Sequence, residues 1–161
     1  MKAAKTVSSA AVVVLLMAGC AFTAVQPGMS REEVLAHYGT PSRVVALNTG
    51  TRLQYSTQPA GQTAVMVDLD VAGKVVAARQ VLNPHEFSKI ELGKWTRGDM
   101  EREFGRPARV DRVGSWAGDV MTYRWLDRDQ SMYFWAYLDS RNVIQRTGQG
   151  MEFPIRIHDN N

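Results

Sequence analysis

Few residues of this chain have the types and the spacing that catalysis or metal binding requires. Its three histidines are far apart, and none stands in a metal-binding spacing such as H-E-x-x-H. They are His37, His85 and His158. Residues 127–129 (Asp-Arg-Asp) begin like a calcium loop, but no glycine holds the sixth position and Leu138 replaces the closing glutamate. We interpret this stretch as a hairpin turn. The sequence therefore predicts no catalytic residue, no metal, no cofactor and no small-molecule substrate.

Cys20 is the one cysteine of the sequence, and its setting predicts lipidation rather than nucleophilic chemistry. Lys2 and Lys5 precede an uncharged run at 10–19, which is typical of a secretory signal. A membrane span needs about 20 apolar residues, and this run is shorter. The run ends in the letters LMAGC, which resemble a bacterial lipobox with methionine where leucine is commonest. An uncleaved anchor, or an ordinary signal peptide cut near Ala21, is the alternative.

Removal of residues 1–19 changes the charge balance of the chain. The formal net charge of the whole sequence is +3, and Lys2 and Lys5 contribute to it. Without them the remaining chain is close to neutral, whereas nucleic-acid binders carry a clustered basic face. Arginines such as those between 97 and 112 alternate with acidic residues, which is typical of a solvated surface. These features argue against a nucleic-acid partner.

A twelve-residue pattern occurs twice and organises the rest of the chain. Residues 30–41 read SREEVLAHYGTP and residues 96–107 read TRGDMEREFGRP. Ser30 with Glu33, and Thr96 with Asp99, form capping boxes that predict the start of a helix. A glycine and a proline then predict its end in each copy. These repeat-signature residues are Gly39, Pro41, Gly105 and Pro107.

Strand patterns follow each helix, so we predict an α+β fold of two tandem repeats, each with one or two short helices on a small antiparallel sheet. The predicted strands are 43–47, 52–57, 64–69, 74–81, 109–113, 120–125, 132–138 and 143–146. Residues 83–93 predict a further short helix between the copies. The organisation is a signal peptide (1–19), a lipidated cysteine with a tether (20–28), repeat 1 (29–82), and repeat 2 with a C-terminal tail (83–161).

Comparison of the two copies separates a conserved strand face from a divergent one. Val65, Val67 and Leu69 match Phe134, Ala136 and Leu138, so this face is apolar in both copies and is expected to meet the helices. The opposite face changes from Ala64, Met66 and Asp68 to Tyr133, Trp135 and Tyr137. Thr122 and Arg124 on the preceding strand are expected to share it. Tyr, Trp and Arg dominate interface hot spots, so these five residues are candidates for partner binding. The alternative is that the rings are packed under the other repeat, Trp116 or the tail at 153–157.

The motifs together resemble a known family. A lipobox, then G-M-S-x-x-x-V-x-x-x-x-G-x-P from Gly28 to Pro41, then short strands with an aromatic near Tyr55, are similar to the BamE-like (SmpA/OmlA) outer-membrane lipoproteins. The resemblance implies helices on one face of a small antiparallel sheet and a role in outer-membrane protein assembly. The tandem arrangement is similar to that of β-lactamase inhibitor protein, whose concave aromatic face grips its enzyme. Those assembly lipoproteins carry one such unit, so their partner-binding residues do not transfer.

These observations predict a non-catalytic protein-binding lipoprotein, anchored through Cys20 in the outer membrane and facing the periplasm. The resemblance implies this location, because Ala21 and not aspartate follows the cysteine. The expected partners are envelope or outer-membrane proteins, in outer-membrane protein assembly or envelope integrity. One alternative is an inhibitor-like protein that binds a periplasmic enzyme. The other is a hydrolase whose site residues are scattered beyond recognition.

Overall fold

The computed structural model describes residues 25–153, so Cys20, the predicted signal peptide and most of the C-terminal tail lie outside the described residues. Within this range the chain forms three helices and eight strands. The helices are α1 (Arg31–Tyr38), α2 (Pro84–Phe87) and α3 (Arg97–Phe104). The strands are β1 (Arg43–Leu47), β2 (Gly50–Ser56), β3 (Ala64–Asp70), β4 (Val75–Gln80), β5 (Arg109–Arg112), β6 (Asp119–Asp127), β7 (Gln130–Leu138) and β8 (Ile144–Met151).

The strands form two four-stranded antiparallel sheets, so the chain is an α+β protein in which strands dominate. Neighbouring strands are consecutive in sequence, with the order β1-β2-β3-β4 in the first sheet and β5-β6-β7-β8 in the second. Register shifts occur at Asp68/Leu69 in the first sheet and at Tyr137/Leu138 in the second. No helix within residues 25–153 is long and apolar enough to cross a membrane.

The two longer helices begin and end as their sequences predict. The Ser30 hydroxyl accepts the Glu33 N–H at 3.2 Å, and the Glu33 carboxylate accepts the Ser30 N–H at 2.6 Å. Thr96 and Asp99 form the same reciprocal pair at the start of α3. Gly39 (φ 74°, ψ −153°) and Gly105 (φ 78°, ψ −173°) end the helices. This backbone region is essentially limited to glycine, which explains the residue at both positions.

A tyrosine on the second strand of each sheet fixes the end of the helix against that sheet. The Tyr55 hydroxyl donates to the Gly39 carbonyl at 3.3 Å, and the buried Tyr123 hydroxyl donates to the Gly105 carbonyl at 3.0 Å. Tyr55 of β2 and Tyr123 of β6 are therefore equivalent positions in the two sheets. Gln54 and Thr122, which directly precede them, are equivalent as well.

The described N-terminal segment is attached to the start of β4. Gly28 donates its N–H to the Val75 carbonyl at 2.7 Å, and the Met29 carbonyl accepts the Val75 N–H at 2.8 Å. Val25 is buried and packs with Val34 of α1 in the core of the first sheet. The described fold therefore includes Val25, which lies inside the segment that the sequence predicted as a tether.

The larger hydrophobic core draws on residues from both halves of the chain. Ala64, Met66 and Leu82 from the first half are buried in one cluster with Met100 and Phe134 from the second. A smaller cluster lies between α1 and the first sheet and includes Val34, Leu53, Val67 and Leu69. The two halves thus share a core across the predicted boundary at residues 82 and 83.

The predicted linker helix is wrong in its length. Helix occupies Pro84–Phe87, with Asn83 as its cap, and not the whole of residues 83–93. The segment then turns toward β8, because the Gly93 N–H donates to the Ile144 carbonyl at 2.7 Å. The Ile144 N–H donates to the Trp95 carbonyl at 2.8 Å. The Gly93 N–H and the Trp95 carbonyl are thus hydrogen-bonded to the start of β8, and not to other backbone groups of a longer helix.

Candidate functional site

The outer face of the first sheet is covered, contrary to the expectation that Ala64, Met66 and Asp68 lie outside the core. Ala64 and Met66 are completely buried in the larger core, and Asp68 forms an ion pair with Arg52. The covering element is α3, which packs one side on the second sheet and presents its other side to the first. We call this surface, formed by Arg52, Gln54, Met66 and Asp68, the covered face.

Polar contacts hold α3 on the covered face. The buried Arg52 guanidinium donates to Asp68 at 2.5 and 2.9 Å, to Glu103 at 2.6 Å and to the Arg102 carbonyl at 3.0 Å. Gln54 donates its amide to the Glu101 and Arg102 carbonyls at 3.0 and 2.9 Å. Burial acts to lower the pKa of Arg52, but the hydrogen bonds to the two carboxylates outweigh it and raise that pKa above its ordinary value.

The outer face of the second sheet carries the predicted partner-binding residues and has no helix over it within residues 25–153. Thr122 pairs with Trp135 across the β6–β7 ladder, and Arg124 pairs with Tyr133. Trp135 and Tyr137 then pair with Gly148 and Arg146 of β8. The structure thus brings all five candidates to one face, which we call the aromatic face. It consists of Thr122, Arg124, Tyr133, Trp135, Tyr137, Arg146, Gly148 and Gly150.

The Trp135 ring lies against two glycines of β8. A Cβ atom added at Gly150 would come within 2.7 Å of the indole, and one at Gly148 within 3.6 Å. The ring therefore rests on backbone that only glycine leaves open. Tyr133 adjoins it, with ring centroids 5.9 Å apart. Tyr133 and Trp135 are half-buried, so each still offers aromatic surface to solvent.

Arg124 is held by a network at one end of the aromatic face. Its guanidinium contacts the Glu152 carboxylate at 2.9 Å and donates to the Pro59 and Ala60 carbonyls at 3.0 and 2.6 Å. Tyr133 donates to Glu152 at 3.1 Å. Burial raises the pKa of the Tyr133 phenol, and the neighbouring Glu152 carboxylate raises it further. Arg124 is thus preorganised in one geometry, with its charge balanced.

Thr122 is buried, unlike the exposed position that the sequence predicted. It is 1% exposed, and its Oγ1 has no hydrogen-bond partner among residues 25–153. It lies in a cleft of about 170 Å³ between Pro59, Ala108, Arg109, Arg124 and Tyr133. A buried hydroxyl without a partner costs about 1–3 kcal/mol, and the residues around this one enclose it, so it is not available to a bound protein.

Tyr137 closes the other end of the aromatic face. The Arg146 guanidinium lies 4.8 Å from the centre of its ring, which is a cation–π distance. Trp116, which the sequence named only as a possible cover, packs edge-on against Tyr137 with centroids 5.4 Å apart. Its indole N–H donates to the Leu138 carbonyl at 2.6 Å. Arg146 and Trp116 therefore belong to the aromatic face although the sequence analysis did not include them in the site. The enrichment of arginine and tryptophan at interfaces was the available signal.

Among residues 25–153, no group of three or more histidine, cysteine, aspartate or glutamate side chains could hold a metal ion. His37 and His85 are exposed, on α1 and α2, and His158 lies outside the described residues. The aromatic face offers a bound protein stacking surface and a fixed guanidinium. Such groups are typical of protein-binding surfaces. On this face, no nucleophile stands beside a base.

Comparison with known proteins assigns no family. No family model and no curated protein matches the chain. Among solved structures, the chain is similar to a DUF4309 family protein (YjgB) from Bacillus subtilis subsp. subtilis str. 168, with 15% identity over 76% of this chain and 78% of that chain. The TM-score of 0.33 is too low to support an inference about fold or function.

Proposed function

We propose that this protein is a non-catalytic protein-binding module of the cell envelope, which binds its partner through the aromatic face. The observation that carries the proposal is the contrast between the two sheets. The covered face is sealed by α3, whereas the aromatic face carries Tyr133, Trp135 and Tyr137 with no described helix over it. Contiguous aromatic side chains beside an arginine are typical of interface hot spots.

We further propose that the two halves are tandem copies of one BamE-like unit. Matched details support this: the two capping boxes, the two glycine helix ends, the two tyrosine hydroxyl bonds and the same strand order in both sheets. Isolated bridges at Ser30–Lys74 and Thr96–Val143 add a further matched contact. After duplication, one outer face would serve the contact between copies, and the other would be available for a partner.

Replacement of Trp135 tests the binding surface. Trp135→Ala is expected to lower the capture of partners by about 30-fold or more, the effect of losing a hot spot of at least ~2 kcal/mol. Capture is measured by crosslinking and pull-down from intact envelopes. Leu92→Ala removes another exposed apolar side chain (54% exposed) and is the matched control, which should retain partners.

The same variant separates a binding role from a packing role for Trp135. Urea unfolding of Trp135→Ala should change the free energy of unfolding by about 1 kcal/mol or less, as for a surface position. A loss of 3–5 kcal/mol, typical of a core tryptophan, would refute the assignment of this ring to the surface. Capture of outer-membrane assembly proteins supports the proposed role, whereas a stoichiometric complex with one soluble periplasmic enzyme would instead identify an inhibitor.

We propose that Cys20 carries the lipid that anchors the protein in the outer membrane, facing the periplasm. Wild-type protein should incorporate labelled palmitate and fractionate with membranes. Cys20→Ala should lose the label and enter the soluble periplasmic fraction. Cys20→Ser is the conservative control and should behave as the alanine variant does. Membrane retention of both variants to the wild-type extent would contradict the anchor.

A further inference from the structure

In the second half of the chain, a side chain from the segment before α3 fills the space between that helix and its sheet. Phe87 lies six residues before Gly93 and stacks on Phe134, with ring centroids 4.0 Å apart. It also contacts Phe104 and Trp125 at 5.5 and 5.6 Å. All four rings are buried, with at most 5% exposure. Phe87 therefore closes the core at this end of the second sheet.

The corresponding space in the first half is an open groove. Three positions there correspond to the rings around Phe87: the residue before the helix-ending glycine, the cross-strand partner of Tyr55, and the residue two places after Tyr55. They are Tyr38, Val65 and Thr57. With Tyr55 they line a groove of about 380 Å³. Tyr38 is 37% exposed, Thr57 is exposed, and Val65 and Tyr55 are half-buried, so apolar surface remains uncovered here.

The chain before α1 is attached to its sheet in the same way as the chain before α3. Gly28 donates its N–H to the carbonyl of Val75, the first residue of β4, at 2.7 Å. Gly93 donates its N–H to the carbonyl of Ile144, the first residue of β8, also at 2.7 Å. Both glycines have positive φ angles, 89° and 76°. Gly28 and Gly93 are therefore equivalent positions.

The match extends to the turns at these glycines. The Met29 N–H donates to the Gln26 carbonyl at 3.3 Å. The Lys94 N–H donates to the Glu91 carbonyl at 3.2 Å. Each turn spans the same positions relative to its glycine, so the two segments follow the same path as far back as the turn.

The same count identifies the residue that corresponds to Phe87. Val25 and Ile90 stand three residues before the two glycines, and each packs in or against the core beside its own sheet. Six residues before the glycines stand Phe22 and Phe87. Phe22 is thus three residues from Val25, and three residues span at most about 10 Å. Val65 of the groove packs against the cluster that contains Val25, so the groove lies beside the point from which Phe22 must reach it.

We propose that Phe22 docks in this groove and completes the first core as Phe87 completes the second. Its ring covers the apolar surface of Tyr38 and Val65, and burial of an aromatic ring on such surface is favourable. The rest of the segment, from Val25 onward, is already fixed on the sheet, so docking orders few additional residues.

This inference goes beyond the proposed function. It concerns the inner face of the first sheet and not the aromatic face, and it requires no lipid on Cys20. It also gives the segment predicted as a tether a second role, because Ala21 is then the only residue between the docked ring and Cys20.

Cysteine labelling tests the docked ring. The full-length chain with Cys20→Ser has no other cysteine, so Val65→Cys places a single thiol in the groove. Phe22→Ala should raise the maleimide labelling rate of this thiol by about tenfold or more, because the ring no longer covers it. Leu92→Ala, which truncates an exposed apolar residue in the equivalent segment of the second half, should not. A thiol at Val71→Cys, a position that is 90% exposed, should react equally fast with and without Phe22→Ala.

A second measurement leaves the groove unaltered. In the chain that carries only Cys20→Ser, nuclear Overhauser contacts should join the Phe22 ring to the Val65 methyl groups and to the Tyr38 ring. Their absence overturns the docking. So does a labelling rate that Phe22→Ala does not change, in a Val65→Cys chain with the wild-type circular dichroism spectrum. A thiol that stays protected in Phe22→Ala would show that the groove has another occupant. If Val65→Cys disrupts the fold, the Overhauser contacts decide alone.

Discussion

Arg52→Met is expected to destabilise the protein by about 3–5 kcal/mol, as does the removal of one partner from a buried ion pair. The Arg52 side chain is 6% exposed, while its partners Asp68 and Glu103 are 14% and 26% exposed. Methionine preserves much of the side-chain volume but leaves both carboxylates, and the Arg102 carbonyl, without this donor. The free energy of unfolding is measured by urea denaturation followed by circular dichroism.

Arg43→Met is the matched control for this prediction, because Arg43 also joins the first sheet to a glutamate of α3. Its side chain is 43% exposed, so the loss should be no more than about 1 kcal/mol. Adding Asp68→Asn and Glu103→Gln to Arg52→Met should recover part of the lost stability, because without Arg52 these carboxylates keep only the more exposed Arg79 and Arg102 as partners. Equal effects of Arg52→Met and Arg43→Met would contradict a buried ionic contact between the halves.

Phe87→Ala should cost about 3–5 kcal/mol, as large-to-small changes in a core do. The Phe87 ring is stacked on Phe134 with centroids 4.0 Å apart, and it also contacts Phe104 and Trp125 at 5.5 and 5.6 Å. It is the buried residue of the four-residue helix α2, so its truncation leaves a cavity that so short a helix cannot fill. Thermal and urea unfolding measure the effect.

Phe87→Leu separates lost volume from lost aromatic packing. Leucine keeps part of the apolar volume, so a loss of about half that of the alanine variant is expected. Leu92→Ala, at an exposed position in the following loop, should change stability by no more than ~0.5 kcal/mol. A Phe87→Ala protein within 1 kcal/mol of wild type would show that α2 does not help to close the shared core.

The features predicted correctly from sequence depend on neighbours in the chain. Ser30 and Glu33 are three residues apart, so the cap they form needs no knowledge of the tertiary fold. The eight strands likewise follow from local alternation and turn residues, with most ends displaced by one or two residues, although β8 continues to Met151 where the pattern ends at Arg146. Gln130 begins a strand that the pattern starts at Met132, because the two-residue turn at 128–129 is tighter than the sequence indicates.

The features that were missed depend on packing between distant residues. Asp68 reads as a solvent-facing residue, and only the fold brings Arg52 and Glu103 to it. One signal was available: apolar residues are continuous from Ala64 to Val67, which is typical of a strand buried on both faces. Thr122 had no such signal, because its burial depends on the loop at Pro59 from the other half of the chain.

The attachment of the N-terminal segment to β4 limits how far the proposed anchor can reach. From Cys20 to the buried Val25 the chain advances five residues, which span at most about 17 Å when fully extended. The headgroup layer alone takes up about 5–7 Å of that length. An anchored molecule would therefore stay close to the leaflet, next to which it presents the start of β4. With the proposed anchor at Cys20, a partner would have to bind close to the membrane surface, because the segment between the lipid and Val25 adds no more than about 17 Å of reach.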